Sequence, residues 1–216
     1  MKIVFWGDSI TDAWHNALKD ITHNKDGAID SYGCGFVRDI AAELLSKNPV
    51  KYKIYNRGIG ANTVADLYSR VKQDVWVEQP DMISIHIGIN DVSSPGNNKS
   101  VDIKRFERIY RMLIEETQER ISGIIIILCE PFVLQSGMDQ QRFEALSEVH
   151  EYAKVTETLA QEYGLYYLPL QKKITENAEQ YGEECILYDG VHPSLVGAKI
   201  IADEWLNLFE NIERNI

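Results

Sequence analysis

The stretch "GIIIILCEP", residues 123–131, is apolar at every position between its glycine and its glutamate. A strand with one wet face would alternate apolar and polar residues, so this one needs cover on both sides. Covered strands of this kind belong to parallel sheets, where each strand is reached through a crossover, usually a helix. The rest of the chain keeps that rhythm. "KIVFW", "KYKIYN", "DMISIHIG" and "GLYYLP" read as four further strands. Between them, apolar residues recur at helical spacing in "FVRDIAAELLSKN", "TVADLYSRVKQDVWVEQ" and "LVGAKIIADEWLNLF". The pattern predicts further helices over about Asp102 to Ser122, Gln140 to Tyr163 and Leu170 to Tyr181. Thr63 or Asn62 suits a helix cap, and Pro49 and Pro80 stand beyond helix ends. Thr11 to Gly35 reads as polar and irregular. With no repeat or linker, and a length of 216 residues within reach of one core, the expected fold is α/β. It is a single domain over residues 1–216, three layers α/β/α around a five-stranded parallel sheet in doubly wound order.

Charge narrows the partners. Lys and Arg number 22 against 33 Asp and Glu, a net charge of −11. Such a surface repels phosphate backbones and anionic membranes, so neither nucleic acid nor membrane is an expected partner. The arginines of "RFERIYRMLIEETQER" are interleaved with glutamates at helix spacing and read as a solvated face. Cys34, Cys129 and Cys185 fit neither a disulfide framework nor a zinc spacing. Four apolar residues before Gly7 are too few for a signal-peptide core, and no run reaches the ~18 apolar residues of a membrane span. As written, the sequence reads as cytoplasmic. Oligomers are common among cytosolic proteins, but the pattern alone assigns no interface.

In open α/β sheets, ligands sit at the carboxyl ends of the strands. The loops there read "GDSIT", "NRGIGANT", "GIND" and "CEPF", with "DGVHPS" before the last helix. A serine following a first strand has two common roles. It caps the next helix, or it is a nucleophile. Ser9 offers a hydroxyl, His192 an imidazole with Asp189 three residues earlier, and Asn90 an amide donor. Acyl transfer needs these types together. A neighbouring imidazole must take the serine proton, a carboxylate must fix that imidazole, and N–H donors must receive the oxyanion. Taken singly, Asp189-Gly190 is a turn, Asn90 a loop brace and His192 a packed loop residue. His15, His23, His86 and His150 lack comparable company, and His86, between Ile85 and Ile87, reads as a core residue.

These blocks resemble the SGNH/GDSL hydrolase superfamily. Gly7-Asp8-Ser9, Asn56 to Thr63, Gly88-Ile89-Asn90-Asp91 and Asp189-Gly190-Val191-His192 occur in its order and span nearly the whole chain. The resemblance implies a flavodoxin-like strand order, Ser9 as nucleophile, His192 as base oriented by Asp189, and Asn90 as oxyanion donor. The second block departs from the family's Asn-x-Gly-Ile-Ser-Gly-Asn-Thr, placing Gly60 at its serine and Ala61 at its donor glycine. We take the Ala61 N–H as the donor, beside the N–H of Ser9. If that position needs positive φ, Ala61 is strained, or Gly60 donates instead.

Within the superfamily, "GDSITD", "NRGI-ANTVADL" and "IGINDV" look most like the branch of carbohydrate acetyl esterases. The implied function is a serine esterase for small acyl esters, with an acetylated sugar as substrate and no metal or organic cofactor. Lysophospholipase or thioesterase activity is the alternative within the class. Trp14, Tyr32, Phe36 and Phe132 are candidate pocket walls. Two readings come from other classes. A flavodoxin-like module could hold a nucleotide or flavin phosphate on "GIGAN", though the full Gly-x-Gly-x-x-Gly pattern and any Walker lysine are missing. A catalytically dead relative is invited only by Ala61.

Overall fold

A computed structural model describes residues 1–16, 28–94 and 96–215. Five parallel strands form one sheet: β1 (Lys2–Gly7), β2 (Lys53–Gly58), β3 (Met82–His86), β4 (Ile125–Cys129) and β5 (Tyr166–Leu168). Their order is β2-β1-β3-β4-β5, the flavodoxin-like arrangement that the resemblance implies. The helices are α1 (Ser9–Asp12), α2 (Phe36–Lys47), α3 (Val64–Val71), α4 (Ile103–Arg120), α5 (Gln140–Leu146), α6 (Val149–Glu162), α7 (Gln171–Tyr181), α8 (Glu183–Ile186) and α9 (Leu195–Glu213).

Two adjacent residues of β1 show why the strands are apolar throughout. Phe5 faces α2 and α9, its ring 6.0 Å from Phe36 and 4.9 Å from Trp205. Trp6 faces the opposite layer, where its Nε1 donates to Asp74 at 3.0 Å and Arg70 lies over its ring. Both side chains are buried, so neither face of the strand is wet. At about 25 cal/mol per Å² of apolar surface removed from water, such two-sided burial dominates the core's stability. Trp205 Nε1 also donates to Ser84 of β3 at 3.0 Å, tying α9 to the centre of the sheet.

The register aligns the strand ends. Gly7 pairs with Gly58 and His86, and His86 with Cys129, so the loops after β1 to β4 open along one edge. Thr63 caps α3 in a reciprocal box with Asp66, which settles the choice between Asn62 and Thr63. The helix predicted over Gln140 to Tyr163 is two. Ser147 turns its hydroxyl back to the Phe143 carbonyl at 2.7 Å, and the helix is interrupted there between α5 and α6. Beyond α3 the backbone widens into a π turn, Lys72–Trp76, and α8 adds a turn of helix that periodicity does not reveal.

Candidate active site

Ser9 stands on the sharp exit from β1. A side chain at Gly7 would meet the His86 carbonyl oxygen at 2.3 Å, so the strand end tolerates only glycine. Asp8, not Ser9, caps α1, accepting the Ile10 N–H at 3.0 Å. Relieved of capping, the Ser9 hydroxyl lies 2.8 Å from His192 Nε2, across 183 residues of sequence.

His192 is held by its own loop. An antiparallel bridge between Leu187 and Pro193 closes the loop, and the Tyr188 N–H donates to the His192 carbonyl at 3.1 Å. At Gly190, φ is +81° and a Cβ would meet the Leu134 carbonyl oxygen at 2.4 Å, so the turn requires glycine. Asp189 Oδ1 accepts the N–H groups of Val191 and His192 at 3.0 and 2.8 Å. Its Oδ2 lies 2.8 Å from His192 Nδ1. Burial raises the Asp189 pKa, but the bonds from His192 and Val191 outweigh it and hold the carboxyl at about 2. The same bond from Asp189 raises His192 above the ordinary 6.5, against the effect of burial. With Nδ1 engaged by the carboxylate, the neutral ring presents an unprotonated Nε2 to the serine.

The second block is as unusual in conformation as in sequence. Ala61 has φ +60°, the left-handed region. The Gly60 N–H already donates to Asp12 Oδ2 at 3.2 Å. Among the described residues the N–H groups of Ser9 and Ala61 have no acceptor. Asn90 Nδ2 donates to the Asn62 carbonyl at 3.0 Å, leaving its second N–H unengaged, and Asn97 Nδ2 holds the Asn90 carbonyl at 2.9 Å. The acidic oxygen on Gly60 also makes "GIGAN" a poor phosphate cradle, since it occupies the amide and would repel the anion.

Beside the Ser9–His192 pair opens a cavity of 280 Å³ lined by Ser9, Ala13, Trp14, Phe36, Tyr188 and His192, among others. Trp14 is 80% exposed at its mouth. Tyr188, which sequence reading passes over, stacks on His192 with centroids 5.9 Å apart, and its only signal is its place next to Asp189. Of the other expected walls, Phe132 is buried against His86 and Tyr32 is buried as well, and neither lines the cavity.

Behind the site, Asp8 and Asp91 are fully buried. Burial pushes Asp8 up to about 7, and its Oδ2 lacks a partner. Burial pushes Asp91 to about 8, resisted by the Val64 N–H that it accepts and reinforced by Asp8. His86 is the expected core residue, lowered by burial to about 4, with Nε2 3.2 Å from the Glu130 carbonyl. His15, without company in the sequence, has Nδ1 2.7 Å from Asp12 Oδ1. His23 lies outside the described residues. Among the described residues no three His, Cys, Asp or Glu side chains gather as metal ligands, and no helix is long and apolar enough to cross a membrane.

A hydroxyl bonded to an imidazole whose far nitrogen is held by a carboxylate can lose its proton as it attacks a carbonyl. Known proteins point the same way. An acetylxylan esterase of Geobacillus stearothermophilus is 30% identical over 211 residues, 95% of this chain and 92% of that one. The crystal structure of Axe2, an acetylxylan esterase from that organism, matches with a TM-score of 0.81 at 30% identity, covering 95% of this chain and 92% of that one. A structure from Parabacteroides merdae, assigned as a GDSL-like lipase, matches with a TM-score of 0.86 at 31% identity, covering 95% and 94%. The profile of the GDSL-like Lipase/Acylhydrolase family extends over residues 5–200, nearly the whole fold, and to that family of ester hydrolases the chain belongs.

Proposed function

We propose that the protein removes acetyl groups from saccharides, using Ser9 as nucleophile through an acyl-enzyme. The observation that carries the reading is the unbroken hydrogen-bonded chain from Ser9 through His192 to Asp189. Ser9 Oγ attacks the ester carbonyl carbon while its proton passes to His192 Nε2. The tetrahedral oxyanion is received by the N–H groups of Ser9 and Ala61 and by the Asn90 amide, each donor worth roughly 2.7–4 kcal/mol when removed singly. His192 returns the proton to the leaving alcohol as the C–O bond breaks. It then takes a proton from water as the water oxygen attacks the acyl carbon, and it returns that proton to Ser9 Oγ as the Oγ–acyl bond breaks and the acid leaves. The Asp189 carboxylate keeps the imidazolium paired throughout.

Acetyl as the acyl group and a saccharide as the leaving alcohol are suggested by the acetylxylan esterase relatives. The exposed rings of Trp14 and Tyr188 at the mouth support the second choice, since aromatic faces offer a sugar ring an apolar platform at small entropic cost. The reading places the working enzyme in the cytoplasm, where it would meet imported oligosaccharides. The test is hydrolysis of p-nitrophenyl acetate, butyrate and octanoate, beside acetate release from acetylated xylo-oligosaccharides, by wild type and Ser9→Ala. Preference for acetate that vanishes in the variant, with acetate released from the oligosaccharide, is expected. Preference for octanoate would move the substrate to a lipid or thioester. No hydrolysis by the wild type would overturn the reading.

A further inference from the structure

The strained residue of the site is held in place by something outside the four motif blocks. A left-handed alanine costs about 1–2 kcal/mol and persists only where its surroundings over-determine it. On its carboxyl side, the Asn90 amide grips the Asn62 carbonyl at 3.0 Å. On its amino side, the Gly60 N–H is gripped by Asp12 Oδ2 at 3.2 Å. Asp12 is itself anchored to the nucleophile's own helix, its N–H donating to the Asp8 carbonyl at 2.8 Å. It is also pressed against the second block. A Cβ at Gly58 would meet the Asp12 nitrogen at 2.2 Å, and Asn56 Nδ2 reaches the Thr11 and Asp12 carbonyls at 2.7 and 3.3 Å. The remaining freedom of the carboxylate is removed by His15, 2.7 Å from Oδ1 and with a side chain only 5% exposed.

We infer that Asp12, braced by His15, is a positioning residue for oxyanion stabilisation: it links the helix that carries Ser9 to the turn that carries Ala61 and so sets where the Ala61 N–H points relative to the nucleophile. The inference rests on the reading of Ala61 as a donor in an esterase. The chain uses the same spacing twice for opposite ends. In Asp189-Gly-Val-His192 the carboxylate orients an imidazole that handles a proton. In Asp12-Ala-Trp-His15 the imidazole orients a carboxylate that handles a backbone amide. Asp12 touches neither the Ser9 hydroxyl nor His192 in any hydrogen bond, so its removal leaves the proton chain intact.

The experiment compares Asp12→Ala and Asp12→Asn with wild type for kcat and KM on p-nitrophenyl acetate, for thermal unfolding, and for exchange of the Gly60 amide. Asparagine keeps an oxygen for the Gly60 N–H. Misplacing a donor acts on the transition state. The alanine variant is therefore expected to lose kcat by about tenfold or more, with KM within about twofold, while the Gly60 amide exchanges faster. Asp12→Asn should recover most of the kcat. An unchanged kcat in the alanine variant, or equal losses in both variants, overturns the assignment and leaves the esterase reading standing. Should the alanine variant not fold, the wild-type amide decides, because a Gly60 N–H that exchanges as fast as that of Ala61 contradicts the link. A wild type that hydrolyses no ester removes both readings together.

Discussion

Asp189 Oδ2 and His192 Nδ1 lie 2.8 Å apart, three residues from each other in one loop, and the same carboxylate takes the His192 N–H with its other oxygen. One side chain thus fixes both the ring and the backbone that carries it. The pairing raises His192 above 6.5, and in the proposed mechanism it is the base, which works only when neutral. The acidic limb of kcat/KM for p-nitrophenyl acetate should therefore have its midpoint above 6.5. Asp189→Asn should lower kcat on the order of 10³–10⁴-fold and bring the midpoint down. A profile flat from pH 6 to 8 in the wild type would contradict this.

Stability should fall as pH rises through the neutral range. Asp8 and Asp91 have folded pKa values near 7 and 8 against 3.8 in the unfolded chain. Between those limits the native state holds protons that the unfolded chain has released. Their contribution is thus fully present below about pH 4 and is lost as pH climbs towards 8. His192, also raised, adds in the same direction above 6.5. The urea midpoint should be lower at pH 8 than at pH 5, and Asp8→Asn, which keeps an acceptor for the Ile10 N–H, should remove roughly half of that drop.

Ala61→Gly should relieve the left-handed strain, less the entropy that glycine adds to the unfolded chain. The net expectation is a gain of about 0.5–1 kcal/mol, with kcat within roughly threefold of wild type. Chemical denaturation and ester hydrolysis measure the two halves separately. Loss of activity altogether would mean that Ala61 does not occupy the donor position.

Glu130 caps a helix from a distance. Its Oε2 accepts the N–H groups of Leu170 and Gln171 at 2.6 and 2.8 Å, where the local cap residue, Leu170, has no side-chain acceptor. Glu130→Ala should cost about 1–2 kcal/mol in urea unfolding, and Glu130→Gln markedly less.

Much of this architecture is legible in the residues because its causes are local. The strands announce themselves as runs buried on two faces, and α3 by the Thr63–Asp66 box. The nearness of Ser9 to His192 is readable only because both stand in loops at the carboxyl edge of a sheet and match the blocks of a family. Other features depend on contacts that the sequence does not display. Asp8 and Ser9 are adjacent cap formers, and only the approach of His192 decides which of them caps. The Ala61 departure is visible, but the groups that grip the turn on either side of it, Asp12 and Asn90, are far away in the chain. The acceptor on the Leu170 amide is 40 residues upstream. The break at Ser147 is local, yet a serine within a helix seldom bends it enough to predict.

Ser9, Ala61 and Asn90 follow β1, β2 and β3, within the first ninety residues. Asp189 and His192 arrive with the loop before α9, which is fastened to the sheet by Trp205 on Ser84. On the proposed mechanism, a chain leaving the ribosome therefore exposes its serine long before it has a base to deprotonate it, and until then that hydroxyl is no more reactive than any alcohol in water. In that reading, reactivity switches on when the last helix docks. Phosphonylation of Ser9 by a fluorophosphonate, with loss of fluoride, should consequently time the final step of folding from inside the molecule.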